Sequence, residues 1–177
     1  VFLGHRIIRK RGPKGNMRVV SGIPKDKARA FTHSLSGALS GDYSTSKIDK
    51  VEKLNQKLKG WSQFYRHTDF TARVYRRIDH VVFWKLAYWL TRKYRCGIKS
   101  LMAKWFKRPE LGKAKTWVLF GKTDNGNLFG ASLYRLVGSP KQRFRWRLPE
   151  SNPYLRVEVR NTVTSRYADV AMAVGRN

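Results

Sequence analysis

Four histidines, His5, His33, His67 and His80, and one cysteine, Cys96, are the residues of this 177-residue chain best suited to ligate metals or move protons. They are scattered. None lies at a metal-ligand spacing from Cys96 or from another histidine, so neither a zinc site nor a thiol–imidazole pair is expected. Asp79 and His80 are adjacent, and adjacent residues on a helix do not face each other, which excludes an acid–base dyad. Gly121-Lys122-Thr123 ends like a phosphate-binding loop, but Thr116 occupies the place of its first glycine. Tyr167-Ala168-Asp169 begins like the turn on which polymerases hold two Mg²⁺ ions, yet Val170 replaces the second carboxylate. No catalytic residue, metal or cofactor is therefore assigned.

The remaining chemistry is cationic. Lys and Arg number 38 against 11 Asp and Glu, a formal charge of +27. Such an excess repels itself unless a polyanion neutralises it, and it greatly exceeds what solubility requires. With 41% apolar and 13% aromatic residues, the chain also builds a core rather than a disordered basic tail. The basic residues are interleaved with apolar ones, so they decorate folded elements. Phosphates pair with these cations, and exposed rings stack on unpaired bases. No apolar run is long enough to span a bilayer, and the apolar runs are needed for the core, which disfavours a membrane partner.

The elements that must position these groups are mostly helical. Phe2–Ile8 and Met17–Val20 read as strands around Arg9–Asn16, a hairpin with Arg9, Lys10, Arg11 and Lys14 at its tip. Pro24 opens a helix with Ala28, Phe31, Leu35 and Leu39 on one face, stopped by Gly41. Ser46 and Asp49 form a loose capping box for a second helix striped by Ile48, Val51, Leu54, Leu58 and Trp61. Gly60 falls inside that stripe's span, where it costs about 1 kcal/mol relative to alanine and suggests a close backbone approach or an earlier helix end. A third helix is expected over about Phe70–Arg95, capped by Thr68 or Asp69 and ended by Gly97, with Val81–Leu90 buried on most sides. A short helix near Lys99–Phe106 follows, stopped by Pro109. Beyond it, Trp117–Phe120 and Leu128–Leu136 read as strands, with a turn at Asn125-Gly126. In Arg143–Leu148, Arg143, Arg145 and Arg147 alternate with apolar residues.

Several of these segments resemble group II intron reverse transcriptases. Phe2-Leu3-Gly4-His5-Arg6-Ile7 resembles the closing palm motif of that family, and Ile23-Pro24-Lys25 through Leu39 its first thumb helix. Leu54-Asn55 and Leu58-Lys59-Gly60-Trp61-Ser62-Gln63-Phe64-Tyr65 resemble its maturase-specific segment. Ile78-Asp79, Trp89 and Arg92-Lys93-Tyr94 continue that pattern, and Asn152-Pro153-Tyr154-Leu155 resembles the segment after the thumb. The resemblance covers residue 2 to about 155. It implies a thumb, or X, domain that grips intron RNA and the template–primer duplex, so that splicing and mobility are assisted. The two-aspartate turn, the fingers and the endonuclease cysteines of the full family have no counterpart in these residues. The chain is accordingly expected to be part of a longer polypeptide and not an enzyme by itself.

The fold expected is mainly α: a thumb of about three long helices, an N-terminal β-hairpin palm remnant and a small β-rich C-terminal appendix. The expected divisions are 1–22 for the hairpin, 23–109 for the helical thumb and 110–160 for the appendix, with no structure assigned to 161–177. The expected RNA contacts are Lys57, Lys59, Arg73, Arg76, Arg77, Lys85, Arg92, Lys93, Arg95, Lys104, Lys107, Arg108, Arg143, Arg145 and Arg147. Trp61 and Tyr65 are the rings expected to stack on bases, because Lys53, Lys57 and Lys59 accompany them; Trp84, Trp89 and Trp105 are expected mostly in the core. The alternative is a target-site module binding double-stranded DNA. A nuclease or polymerase would need clustered carboxylates, and a ribosome-associated protein would share the charge but not the Gly60-Trp61 segment. The bacterial cytoplasm or an organelle is the expected location.

Overall fold

Alternating cations and apolar residues open the chain as an antiparallel pair, β1 (Arg6–Arg11) and β2 (Met17–Gly22). The computed structural model describes residues 1–13, 15–122 and 128–141. The strands run further than the apolar residues predict. Arg9, Lys10 and Arg11 pair with Val19, Arg18 and Met17, so these cations sit in the ladder and not at the tip. Backbone pairing sets the length of a ribbon exposed on both faces, whatever its side chains. In front of β1, Phe2 and His5 exchange both backbone hydrogen bonds at 2.8 Å across Leu3 and Gly4. Leu3 and Gly4 have φ of 45° and 79°, the pair of left-handed residues a two-residue turn of this hand requires.

Four helices among the described residues make the chain mainly α: α1 (Lys25–Ala38), α2 (Lys47–Phe64), α3 (Ala72–Tyr94) and α4 (Ile98–Trp105). Pro24, already at φ −60°, precedes α1 without needing an amide hydrogen. Ser46 Oγ accepts from the Ile48 amide at 3.3 Å to open α2, with Asp49 in the first turn, where the helix dipole favours an anion. Two sequence expectations about α3 need correction. Asp69 does not cap it: its Oδ2 accepts from the Ser21 amide at 3.0 Å, tying β2 to the α2–α3 connection, and Thr71 takes the cap position. Nor does Gly97 end it. Arg95 adopts the left-handed conformation, φ 50°, and Gly97 is the extended residue that starts α4. Pro109 is likewise not what stops α4, because Phe106 has already turned into a strand.

A second sheet follows, β3 (Phe106–Lys107), β4 (Thr116–Lys122) and β5 (Leu128–Ser132), antiparallel in the order β3-β4-β5. After it comes a short 3₁₀ turn, Leu136–Gly138. The Asn125-Gly126 turn lies outside the described residues. Trp117, Leu119, Ala131, Leu133 and Leu136 are buried in the same core as Leu35, Leu54, Leu58, Leu86 and Leu90 of the helices.

Two polar side chains hold sheet and helices together. Asn55 donates to the Ser132 carbonyl at 2.8 Å and accepts from the Tyr134 amide at 2.7 Å, pairing as a strand residue would. Asp79 accepts from the amides of Leu136 and Val137 at 2.9 and 3.0 Å. Burial pushes its carboxyl above the usual range, against the downward pull of those two amides.

Candidate nucleic-acid interface

Helical periodicity decides which α3 side chains face water. Arg73, Arg77, Trp84, Tyr88 and Arg92 recur at steps of four or seven residues, and all are exposed; Arg95, in the left-handed turn just past the helix, is exposed too. Tyr75, Ile78, Val82, Leu86, Trp89 and Leu90 occupy the opposite face, in the core. The one acid of α3, Asp79, is turned inward onto the 136–137 amides. The only ion pairs among the described residues are Lys50–Asp42 at 3.6 Å and Lys113–Glu110 at 2.7 Å. The outward face of α3 is therefore cationic, without a carboxylate partner among the described residues, and interrupted by two open rings.

Those rings correct the sequence expectation. Trp84 is 36% and Tyr88 54% exposed, with centroids 6.2 Å apart. Trp61 and Tyr65, expected to meet bases, both make contacts within the chain, Trp61 half-buried and Tyr65 buried. Trp61 stacks on Phe31 at 4.6 Å, nearly parallel, and packs edge-on against Tyr65 at 4.7 Å. Tyr65 is buried and donates its hydroxyl to the Gly4 carbonyl at 3.2 Å. His5 stacks on Phe64 at 5.3 Å, and a Cβ at Gly4 would come within 3.2 Å of that ring. The Phe2–Ile7 and Gly60–Tyr65 motifs are thus two halves of one contact. Lysines neighbouring a ring on the same helix say nothing about what packs on its other side.

The expected cations fall on separate surfaces. Lys57 and Lys59 are exposed on α2, and Lys59 borders an open groove of about 450 Å³ with Arg66 and Tyr134. Arg76 lines a cleft of about 390 Å³ between α3 and the second sheet, with His80, Lys115 and Arg135 above Phe83 and Phe106. Lys85 and Arg92 border a smaller cavity of about 160 Å³ beside Tyr88 and Tyr43. Arg92 also donates to the Tyr43 hydroxyl at 3.2 Å. Lys104 is exposed but lies 5.3 Å over the Trp105 ring, whose centroid is 4.7 Å from Lys47 Nζ. Burial, then repulsion from Lys104 and Lys93, lowers the Lys47 ammonium below the usual lysine range. Lys107 in β3 and Arg108 beyond it are exposed. Arg143, Arg145 and Arg147 lie outside the described residues. Arg66, Lys115 and Arg135 escaped the sequence reading because none of them lies on a segment with a clear helical stripe of cations.

Lys93 is the exception among the expected phosphate contacts. It is half-buried, and its Nζ donates to the carbonyls of Tyr43 and Thr45 at 2.5 and 2.8 Å while lying 5.4 Å over Trp89. Trp89 in turn donates to the Gly41 carbonyl at 3.1 Å. In the same loop, hydroxyls of Thr45 and Ser44, with Lys50 nearby, hold the Asp42 carboxyl at about 2. Lys93 secures the loop between α1 and α2. Lys93→Met is expected to cost about 1–2 kcal/mol in urea denaturation, as charged donors to partly buried carbonyls are lost. The salt dependence of polyanion binding should stay unchanged in the same variant.

Among the described residues no three His, Cys, Asp or Glu side chains are placed to hold a metal ion, and no helix is long and apolar enough to cross a membrane. What the structure defines is a mainly α unit whose helices present uncompensated cations beside exposed rings. Residues 28–109 match the family described as Group II intron, maturase-specific domain, and this stretch of the chain belongs to that family. Over 39 residues the chain is 62% identical to Protein YkfC of Escherichia coli (strain K12). That alignment covers 22% of this chain and spans about a tenth, 10%, of the relative's length. The Leu54-Asn55, Gly60-Trp61, Ile78-Asp79 and Trp89 positions all fall within the matched family segment.

Proposed function

We propose that this chain is the RNA-gripping part of a group II intron maturase, the thumb of an intron-encoded reverse transcriptase. It holds folded intron RNA, and during mobility the template–primer duplex, while splicing chemistry stays with the RNA. The reading assigns no polymerase step to this chain. It places the chain where such introns are transcribed, in the bacterial cytoplasm or an organelle. The observation that carries it is the outward face of α3, where Arg73, Arg77 and Arg92 flank Trp84 and Tyr88 with no carboxylate partner among the described residues. Arginines supply bidentate phosphate contacts, and rings supply stacking on unpaired bases, a combination that suits folded RNA with loops.

A filter-binding titration with group II intron RNA tests this. With about six phosphate contacts to single-stranded segments, log K should fall against log salt with a slope of about −4. A flat salt response would reject the reading. Unlabelled duplex DNA should displace the RNA poorly; displacement as strong as by RNA itself would favour the DNA target-site alternative.

A further inference from the structure

Gly60 lies within α2, a full turn before its end, and nothing among the described residues requires a glycine there. Its φ is not in the left-handed region, and among the described residues a Cβ at this position would meet no atom within 4 Å outside its own stretch of helix. The expectation of a close approach by another part of the chain is thus not met within the described residues. Glycine loses more backbone freedom than alanine on entering a helix, so α2 is weaker than its packing demands. The other glycine inside a helix, Gly37, sits in the last turn of α1, where helices fray and the cost is small.

The surroundings of Gly60 indicate what comes close from outside. Gln56, Lys57, Gln63 and Phe64 are its neighbours one turn away on the helix surface, and all four are exposed. From Lys53 to Arg66 the chain carries no acidic residue. Beside the glycine runs the open groove of about 450 Å³ bordered by Lys59, Arg66, Tyr134 and Ser139. A strip of helix backbone bordered by amides, hydroxyls, ammonium groups and the Phe64 ring, with no carboxylate between Lys53 and Arg66, suits a flat-lying polyanion.

We infer that Gly60 seats the sugar–phosphate backbone of an RNA strand, which lies against α2 more closely than a side chain would allow. Lys57, Gln56 and Gln63 face that strand, and Lys59 and Arg66 flank it along the groove. This rests on the RNA reading above and adds a contact surface on α2, distinct from the α3 face.

The test is Gly60→Ala in the full 177-residue chain, read by thermal unfolding and by filter binding to the same intron RNA. Alanine should raise Tm by about 2–4 °C, because it favours the helix and meets no clash. The same substitution should weaken RNA binding about tenfold, because its methyl occupies the seat. Gly37→Ala, in the last turn of α1, is the control, expected to change both Tm and affinity little. Gains in Tm with unchanged affinity overturn this inference alone. A fall in Tm also overturns it, since the glycine would then serve a contact within the chain. Absence of salt-dependent RNA binding by the unsubstituted chain overturns the RNA reading and this inference with it.

Discussion

Alanine at both Trp84 and Tyr88 is expected to lower affinity for intron RNA with unpaired loops by about 100-fold and to leave the slope of log K against log salt unchanged. Loss of one base–ring stack costs about 1–3 kcal/mol, and about 1.4 kcal/mol corresponds to a factor of ten. The rings carry no charge, so the number of displaced counterions stays the same. Arg77→Gln or Arg92→Gln should do the converse, reducing the slope by about 0.7 each and weakening all RNAs alike. A fully paired RNA of the same length provides the discriminating comparison. Equal loss on paired and looped RNA would show that the two rings do not meet bases. Trp84 also touches Phe83, at 5.3 Å between centroids, so the urea midpoint of the variant has to be measured beside its affinity. Trp61→Ala belongs to a different class. Its stack on Phe31 is a contact within the chain, and truncating this half-buried ring should cost about 2–3 kcal/mol of stability.

Asn55→Ala should cost about 2–3 kcal/mol in chemical denaturation, a larger loss than most single polar substitutions produce. It leaves the Ser132 carbonyl and the Tyr134 amide without partners where α2 meets β5. Asn55→Asp is the informative companion. A carboxylate still accepts from the Tyr134 amide, but it cannot donate to the Ser132 carbonyl and brings a half-buried charge against it. Stability no better than that of the alanine variant is therefore expected. If aspartate recovered half the loss or more, the strand-like pairing assigned to Asn55 would be wrong. Both variants can be followed by the chain's tryptophan fluorescence, to which Trp117, buried on the neighbouring strand β4, contributes.

The helices were legible because the information is local. Ile48, Val51, Leu54 and Leu58 recur at helical spacing, and Ser46 lies two residues from the amide it caps. Where an element's limits depend on backbone alone, residue types mislead. The cations Arg9–Arg11 are strand residues because their backbone pairs with 17–19, and Arg95 rather than Gly97 makes the left-handed turn after α3. Asn55 and Asp79 belong to recognisable motifs, but their roles were hidden, since their partners lie 77 to 79 and 57 to 58 residues away.

The candidate interface divides along the same line. Composition and spacing alone established an excess of cations carried on amphipathic helices, and with it a polyanion as the expected ligand, because net charge and helical period are properties of the chain itself. Which cations and rings remain open to that ligand was decided only in three dimensions. Arg92 and Lys93 are adjacent and both cationic, yet one is exposed while the other donates to the carbonyls of the 43–45 loop. Trp61 and Trp84 both lie on helices, yet Phe31 stacks on one face of the first while the second is exposed. Availability depends on what packs against a side chain from elsewhere in the chain, and no local pattern carries that.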